Sequence, residues 1–165
     1  MFDKFLATMI VIGGLGMACA HACAAEPEAV RQDIELSPGV LNLLRAEMGE
    51  IAGGVQGIAL SLATADWMSI QETSRKIRAS YIMEKKLTAA QAKELEQALP
   101  EYFKQLDTEF HQRAEKLGLA AAVHDPELVA FQYSRLVENC TVCHAAYARS
   151  RFPGFSSPPL QGHLH

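Results

Sequence analysis

The chain has 165 residues, 49% of them hydrophobic and 21% charged, and 15 Lys and Arg against 19 Asp and Glu give a formal net charge of -4. That length suits one domain around one core, and the composition is globular rather than disordered. The acidic balance, with no run of like charges, excludes a nucleic-acid surface and a charged interaction tail.

Residues 1–25 stand apart from the rest. One lysine precedes an apolar run from Phe5 to Met17, and small residues ending in Ala22, Cys23 and Ala24 lead to Glu26. This is the pattern of a secretory signal peptide, and the run is too short to span a bilayer comfortably. Its removal takes Asp3 and Lys4 together, so the net charge is unchanged and no membrane insertion is expected of the mature chain. Cys19 and Cys23 leave with it, and the two remaining cysteines, Cys140 and Cys143, lie in one motif with no third thiol for a long-range disulfide.

The helical bundle is expected over residues 36–152. Ser37 suits a cap and Pro38 a first helical position, after which Leu41, Leu44, Met48, Ile51, Val55, Ile58 and Leu62 alternate steps of three and four. Such a heptad seam faces other helices. Gly49, Gly53 and Gly57 mark another stripe of this helix, and because each glycine costs about 1 kcal/mol against alanine, close approach of a neighbouring helix is the expected compensation, either within the chain or in a homodimer.

A second helix is expected from Asp66 through Lys86, with Trp67, Ile70, Ile77 and Tyr81 on its narrower apolar face. Thr88 and Gln91 can then cap each other at the start of a third region. Pro100 interrupts that region at a cost of about 3 kcal/mol for a helix interior, which predicts a short helix before Leu99 and a longer one from Pro100 to near Gly118. Asp125 and Pro126 open the last helix, whose seam carries Val129, Tyr133, Leu136, Cys140, Cys143 and Tyr147. With no strand alternation, the reading is all-α, an antiparallel up-down-up-down four-helix bundle, followed by an extended tail over 153–165.

The stretch "VENCTVCHAAYARSRF" carries the chemistry. On a helix, Cys140 and Cys143 share a face and His144 lies one turn beyond Cys140. Two thiols at that spacing reach the two vinyl groups of one porphyrin while the imidazole reaches its iron, and CxxCH in an exported chain signals c-type haem. The rival readings fit less well. A thioredoxin-like pair belongs in a βαβ setting, and a structural zinc site needs four ligands where three are at hand, so that His111 or His124 would have to join. A non-haem metal or thiol-binding helical protein is the weaker alternative.

An exported four-helix bundle with CTVCH near its C-terminus and Tyr147 three residues after His144 resembles the class II cytochromes c, the family of cytochrome c prime and cytochrome c-556. The likeness covers about Leu36 to Arg149. It implies one covalently attached haem c on Cys140 and Cys143, His144 as axial iron ligand, a periplasmic location, redox partner proteins there, frequent homodimers, and electron transfer rather than enzymatic turnover. Members with a methionine opposite the histidine are low-spin electron carriers, and members with an apolar residue there bind nitric oxide or carbon monoxide. Met48 in "LLRAEMGEIAGG" resembles that methionine and is the candidate sixth ligand, while Leu44 or Leu41 as the distal neighbour would fit the gas-binding branch.

Many gas-binding members carry a basic residue directly after the motif tyrosine. Here that place is Ala148, and Arg149 stands about 100° further round the helix. Arg149 and Arg151 are expected at solvent, the helix C-terminus or a haem propionate, and Arg45 at solvent or a propionate. Trp67, Tyr81 and Phe110 read as core or boundary side chains. His111, His124, His163 and His165 lack a partnering motif and are assigned no site.

Overall fold

The computed structural model describes residues 34–156, so the expected signal segment and the last nine residues of the tail lie outside it. Among the described residues the chain is all-helical: α1 Pro38–Ala63, α2 Trp67–Arg78, α3 Met83–Lys86, α4 Ala89–Ala98, α5 Glu101–Ala122, α6 Pro126–Tyr147, and a 3-10 turn at Pro153–Ser156. None of these helices is long and apolar enough to cross a membrane.

Local signals explain most boundaries. Asp66 caps α2 by accepting from the Ser69 N–H at 3.1 Å and the Ser69 hydroxyl at 2.7 Å. Thr88 and Gln91 form the reciprocal capping box expected at the start of α4. Leu99 is extended before Pro100, and Asp125 accepts from the Leu128 N–H at 3.0 Å to begin α6. Ser37 precedes α1 as expected, but its hydroxyl and N–H both donate to Glu94, at 2.9 and 2.6 Å, and so tie α4 to the start of α1.

Three expectations are corrected. The buried stripe of α1 is Val40, Glu47, Ile51 and Ile58, with Leu44, Val55 and Leu62 half-buried. In the N-terminal half of the helix, Val40 and Glu47 thus take the inward places assigned to Leu41 and Met48. The second helix does not run to Lys86: it stops at Arg78, because Ser80 adopts φ 52° and turns the chain toward Glu47. That buried carboxylate accepts from the N–H groups of Tyr81, Ile82 and Met83 at 2.8, 2.5 and 3.1 Å, giving the link before α3 its backbone partners. Finally, α5 continues four residues beyond Gly118, whose missing Cβ would stand 3.2 Å from the Ser74 Cβ. This glycine allows α2 and α5 to approach rather than ending a helix.

Contacts between successive long helices run in opposite order along the two chains. Glu47 meets residues 81–83 while Gly54 faces Thr73; Ser74 faces Gly118 while His111 meets Ile77; Leu106 meets Asn139 while Phe103 meets Tyr147. α1 and α2, α2 and α5, and α5 and α6 are therefore antiparallel pairs, and α6 also packs on α1. The contiguous apolar core comprises Ile58, Ile70, Ile77, Ala114, Leu117, Ala120, Ala121, Val129 and Leu136, with Trp67, Tyr81 and Phe110 packed at its edge as expected. Each fully buried isoleucine or leucine here stabilises by about 1.5–3 kcal/mol. This core draws on the C-terminal half of α5 and ends at Leu136, one turn before Cys140.

Candidate functional site

The C-terminal half of α6 is held by two anchors on either side of CTVCH. Asn139, 6% exposed, donates its side-chain N–H to the Leu106 carbonyl at 3.0 Å and pins α6 to α5 next to Cys140. Tyr147 is buried with its ring centroid 5.5 Å from Phe103 and 6.4 Å from Tyr102. Together they fix the rotation of the helix, and hence which way the motif faces.

Cys140 and Cys143 are both half-buried free thiols. The Cys140 S–H donates weakly to the Leu136 carbonyl at 3.6 Å. Burial pushes both thiols above the usual range, and for Cys143, burial together with the nearby Asp107 carboxylate and Cys140 raises it to about 11. Raised thiol pKa values are the opposite of the lowered ones that activate a thiol redox pair.

His144 moves the other way: burial, then the Arg151 charge, holds its pKa below the ordinary histidine value, so the imidazole is neutral at pH 7 with a lone pair to offer. Its ring stacks on Phe152 with centroids 4.6 Å apart and planes at 26°. Arg151 lies 5.8 Å from the Phe152 ring centroid. Arg149 donates Nε–H to the Ala145 carbonyl at 2.5 Å, one of the places expected for it, the helix C-terminus. The first part of the tail is thus not extended but folds back over the end of α6.

On α1, Met48 is 38% exposed on the flank of the buried stripe, and Leu41 and Leu44 are half-buried. Arg45 is exposed, in keeping with a solvent role. A Cβ at Gly49, Gly53 or Gly57 would meet nothing within 4 Å, so the close approach within the chain expected of this stripe does not occur. Gly54 takes that part, with its Cβ position 2.7 Å from the Tyr81 hydroxyl.

Sequence reasoning missed Glu47, Asn139, Asp107 and Phe152. His111, left without a role, bonds through Nδ1 to the Ile77 carbonyl at 2.8 Å and has Nε2 3.7 Å from Asp107. Phe152 lay at the edge of a tail with no period, and the polar residues carried no pattern beyond a single letter beside a seam position.

Among the described residues no three His, Cys, Asp or Glu side chains converge on one point that could hold a metal ion. A haem asks for less: two thiols on one helix face and a neutral imidazole with a free ring edge. The motif offers two half-buried thiols on one helix and an imidazole stacked on Phe152 through a ring face. No protein-family model, curated protein or solved structure matches this chain.

Proposed function

We propose that the chain is a periplasmic c-type haem protein that works as a small electron carrier. Its four long helices form the antiparallel up-down-up-down bundle of the class II cytochromes c, Cys140 and Cys143 hold one haem c through thioethers, and His144 is the axial iron ligand. Haem supplies reversible one-electron chemistry at its iron. The chain's own residues attach it, orient the imidazole through the anchors at Asn139 and Tyr147, and limit water at the motif.

The observation that carries the reading is the pairing of CTVCH with its surroundings. The thiols are half-buried and unpaired, and burial, then the Arg151 charge, holds the His144 pKa below its ordinary value. The contiguous apolar core ends at Leu136, and α1 carries the half-buried Leu41 and Leu44 and the partly exposed Met48 in its N-terminal half. Met48 is the sixth ligand in this account, as its resemblance to the methionine of the low-spin branch implies. Export by the 1–25 segment brings the chain to the periplasm, where its partners are redox proteins and, through the open glycine stripe of α1, a second copy of itself.

A five-coordinate, gas-binding haem protein is the second reading, favoured by one finding: Glu47, not Met48, takes the inward place on α1. The absorption spectra of protein produced with haem-maturation machinery separate the two. A low-spin ferric spectrum with a sulfur-to-iron charge-transfer band supports the electron carrier. A high-spin spectrum with ready carbon monoxide binding replaces it with the gas binder, and protein without haem removes both.

A further inference from the structure

We propose that Phe152 is the positioning residue of the axial histidine, fixing the plane of the His144 imidazole; the inference rests on the haem reading above. A helix that continued past Tyr147 would carry residue 152 about 12 Å beyond His144 along the axis. The chain instead turns back. The Ala148 N–H donates to the His144 carbonyl at 3.0 Å, and the Ala148 carbonyl accepts from the N–H groups of Arg151 and Phe152 at 3.1 and 2.9 Å. The Phe155 N–H then donates to the Phe152 carbonyl at 3.1 Å, closing the 3-10 turn behind the ring.

This folding places the Phe152 ring on His144, centroids 4.6 Å apart and planes 26° from parallel, within the range of an offset stack. Arg151, at 5.8 Å from the Phe152 centroid, adds a cation-π contact that holds the phenyl ring in turn. An axial imidazole is free to rotate about its bond to iron unless a neighbour fixes its plane, and among the described residues no hydrogen bond to a His144 ring nitrogen is seen to do so. A stack fixes the plane through the ring face and leaves the ligating edge clear. Groups around an axial ligand tune a haem, and Phe152 does so here by shape rather than by a proton.

The low-spin ferric holoprotein, with cyanide bound if the parent iron is high-spin, tests this by proton NMR, since the order of the hyperfine-shifted haem methyl resonances then reports the orientation of the axial imidazole plane. Phe152→Leu, which keeps an apolar side chain without a ring, and Phe152→Ala are expected to change that order. Phe152→Tyr is expected to retain the parent pattern, as is Phe155→Leu, a change in the same turn at a residue 36% exposed. A purely structural role for the turn would shift the melting temperature of Phe152→Leu and Phe155→Leu alike and leave the methyl order intact. If the parent holds covalent haem and neither Phe152→Leu nor Phe152→Ala alters the order, this inference fails while the proposed function stands. If the parent holds no haem, the proposed function fails and takes the inference with it.

Discussion

Glu47 offers the sharpest test of how α1 is held against the rest of the chain. It is 3% exposed, and its carboxylate accepts from the N–H groups of Tyr81, Ile82 and Met83. Met83 has a second partner in the Ser80 hydroxyl at 3.1 Å, so Glu47→Ala strands chiefly the Tyr81 and Ile82 donors. Hydrogen bonds to a charged acceptor contribute about 1.5–3 kcal/mol each, and the two together give about 3–6 kcal/mol. The link is only partly buried, and water can reach the freed donors, so the expected loss is about 2–4 kcal/mol. Glu47→Gln keeps one acceptor oxygen but brings an NH2 toward the same donors, and should cost about 1–3 kcal/mol. Denaturant unfolding at pH 7 measures both, and the exposed neighbour Glu50→Ala serves as control, expected within about 0.5 kcal/mol of the parent. A Glu47→Ala protein within about 1 kcal/mol of the parent at an unchanged m-value would refute the assignment of this carboxylate as the partner of the 81–83 link.

Met48→Leu conserves volume and costs under about 1.5 kcal/mol as a packing change; in the holoprotein it should abolish the charge-transfer band, turn the ferric iron high-spin and admit carbon monoxide, whereas a parent-like spectrum would leave Met48 as a surface methionine only. Gly53→Leu meets open space in the chain and gains about 0.8–1 kcal/mol of helix propensity, so it should not lower the melting temperature while it shifts a dimer toward monomer in sedimentation. A lower melting temperature at unchanged association would contradict that reading. His111 carries a pKa raised above its ordinary value, first by the Asp107 carboxylate 3.7 Å from Nε2, with the Ile77 carbonyl and Glu47 adding to it against burial. A raised folded pKa stabilises fully below the unfolded value near 6.5 and is lost as pH rises through the folded value, so the stability gap between the parent and His111→Gln should shrink from pH 5.5 to pH 8.5. A gap that is flat or widens over this range would show that the imidazolium is not favoured by the fold.

What was legible in the sequence was local. The start of α2 at Asp66 and the caps at Thr88 with Gln91 and Asp125 with Pro126 depend on contacts within three or four residues, and each stands where the letters place it. Pro100 divides the third region as a missing N–H requires. The break after Arg78 was not legible, because it depends on a carboxylate 34 positions before Tyr81 and no periodicity announces that Glu47 will supply the backbone partners of that link. The same residue explains the misplaced N-terminal half of the α1 stripe. A search for apolar spacing passes over a glutamate and selects Leu41 and Met48, although Ile51 and Ile58, on the same rule, are buried as expected. Gly118 misled for a related reason. Glycine after a helical run usually marks an end, but here it is set by the approach of Ser74 from another helix. At the candidate site, Cys140, Cys143 and His144 were proposed from their spacing, whereas Phe152 acquires its place only once the chain reverses at Ala148.

The account stands on covalent haem at CTVCH, and intact mass measures it directly. Protein made with haem-maturation machinery should gain the mass of one haem, keep it through acid-acetone extraction, and lose at least one thioether in Cys140→Ala or Cys143→Ala and both in the double variant. A parent protein at the mass of the bare polypeptide, or one whose haem is removed by the extraction, would contradict the account.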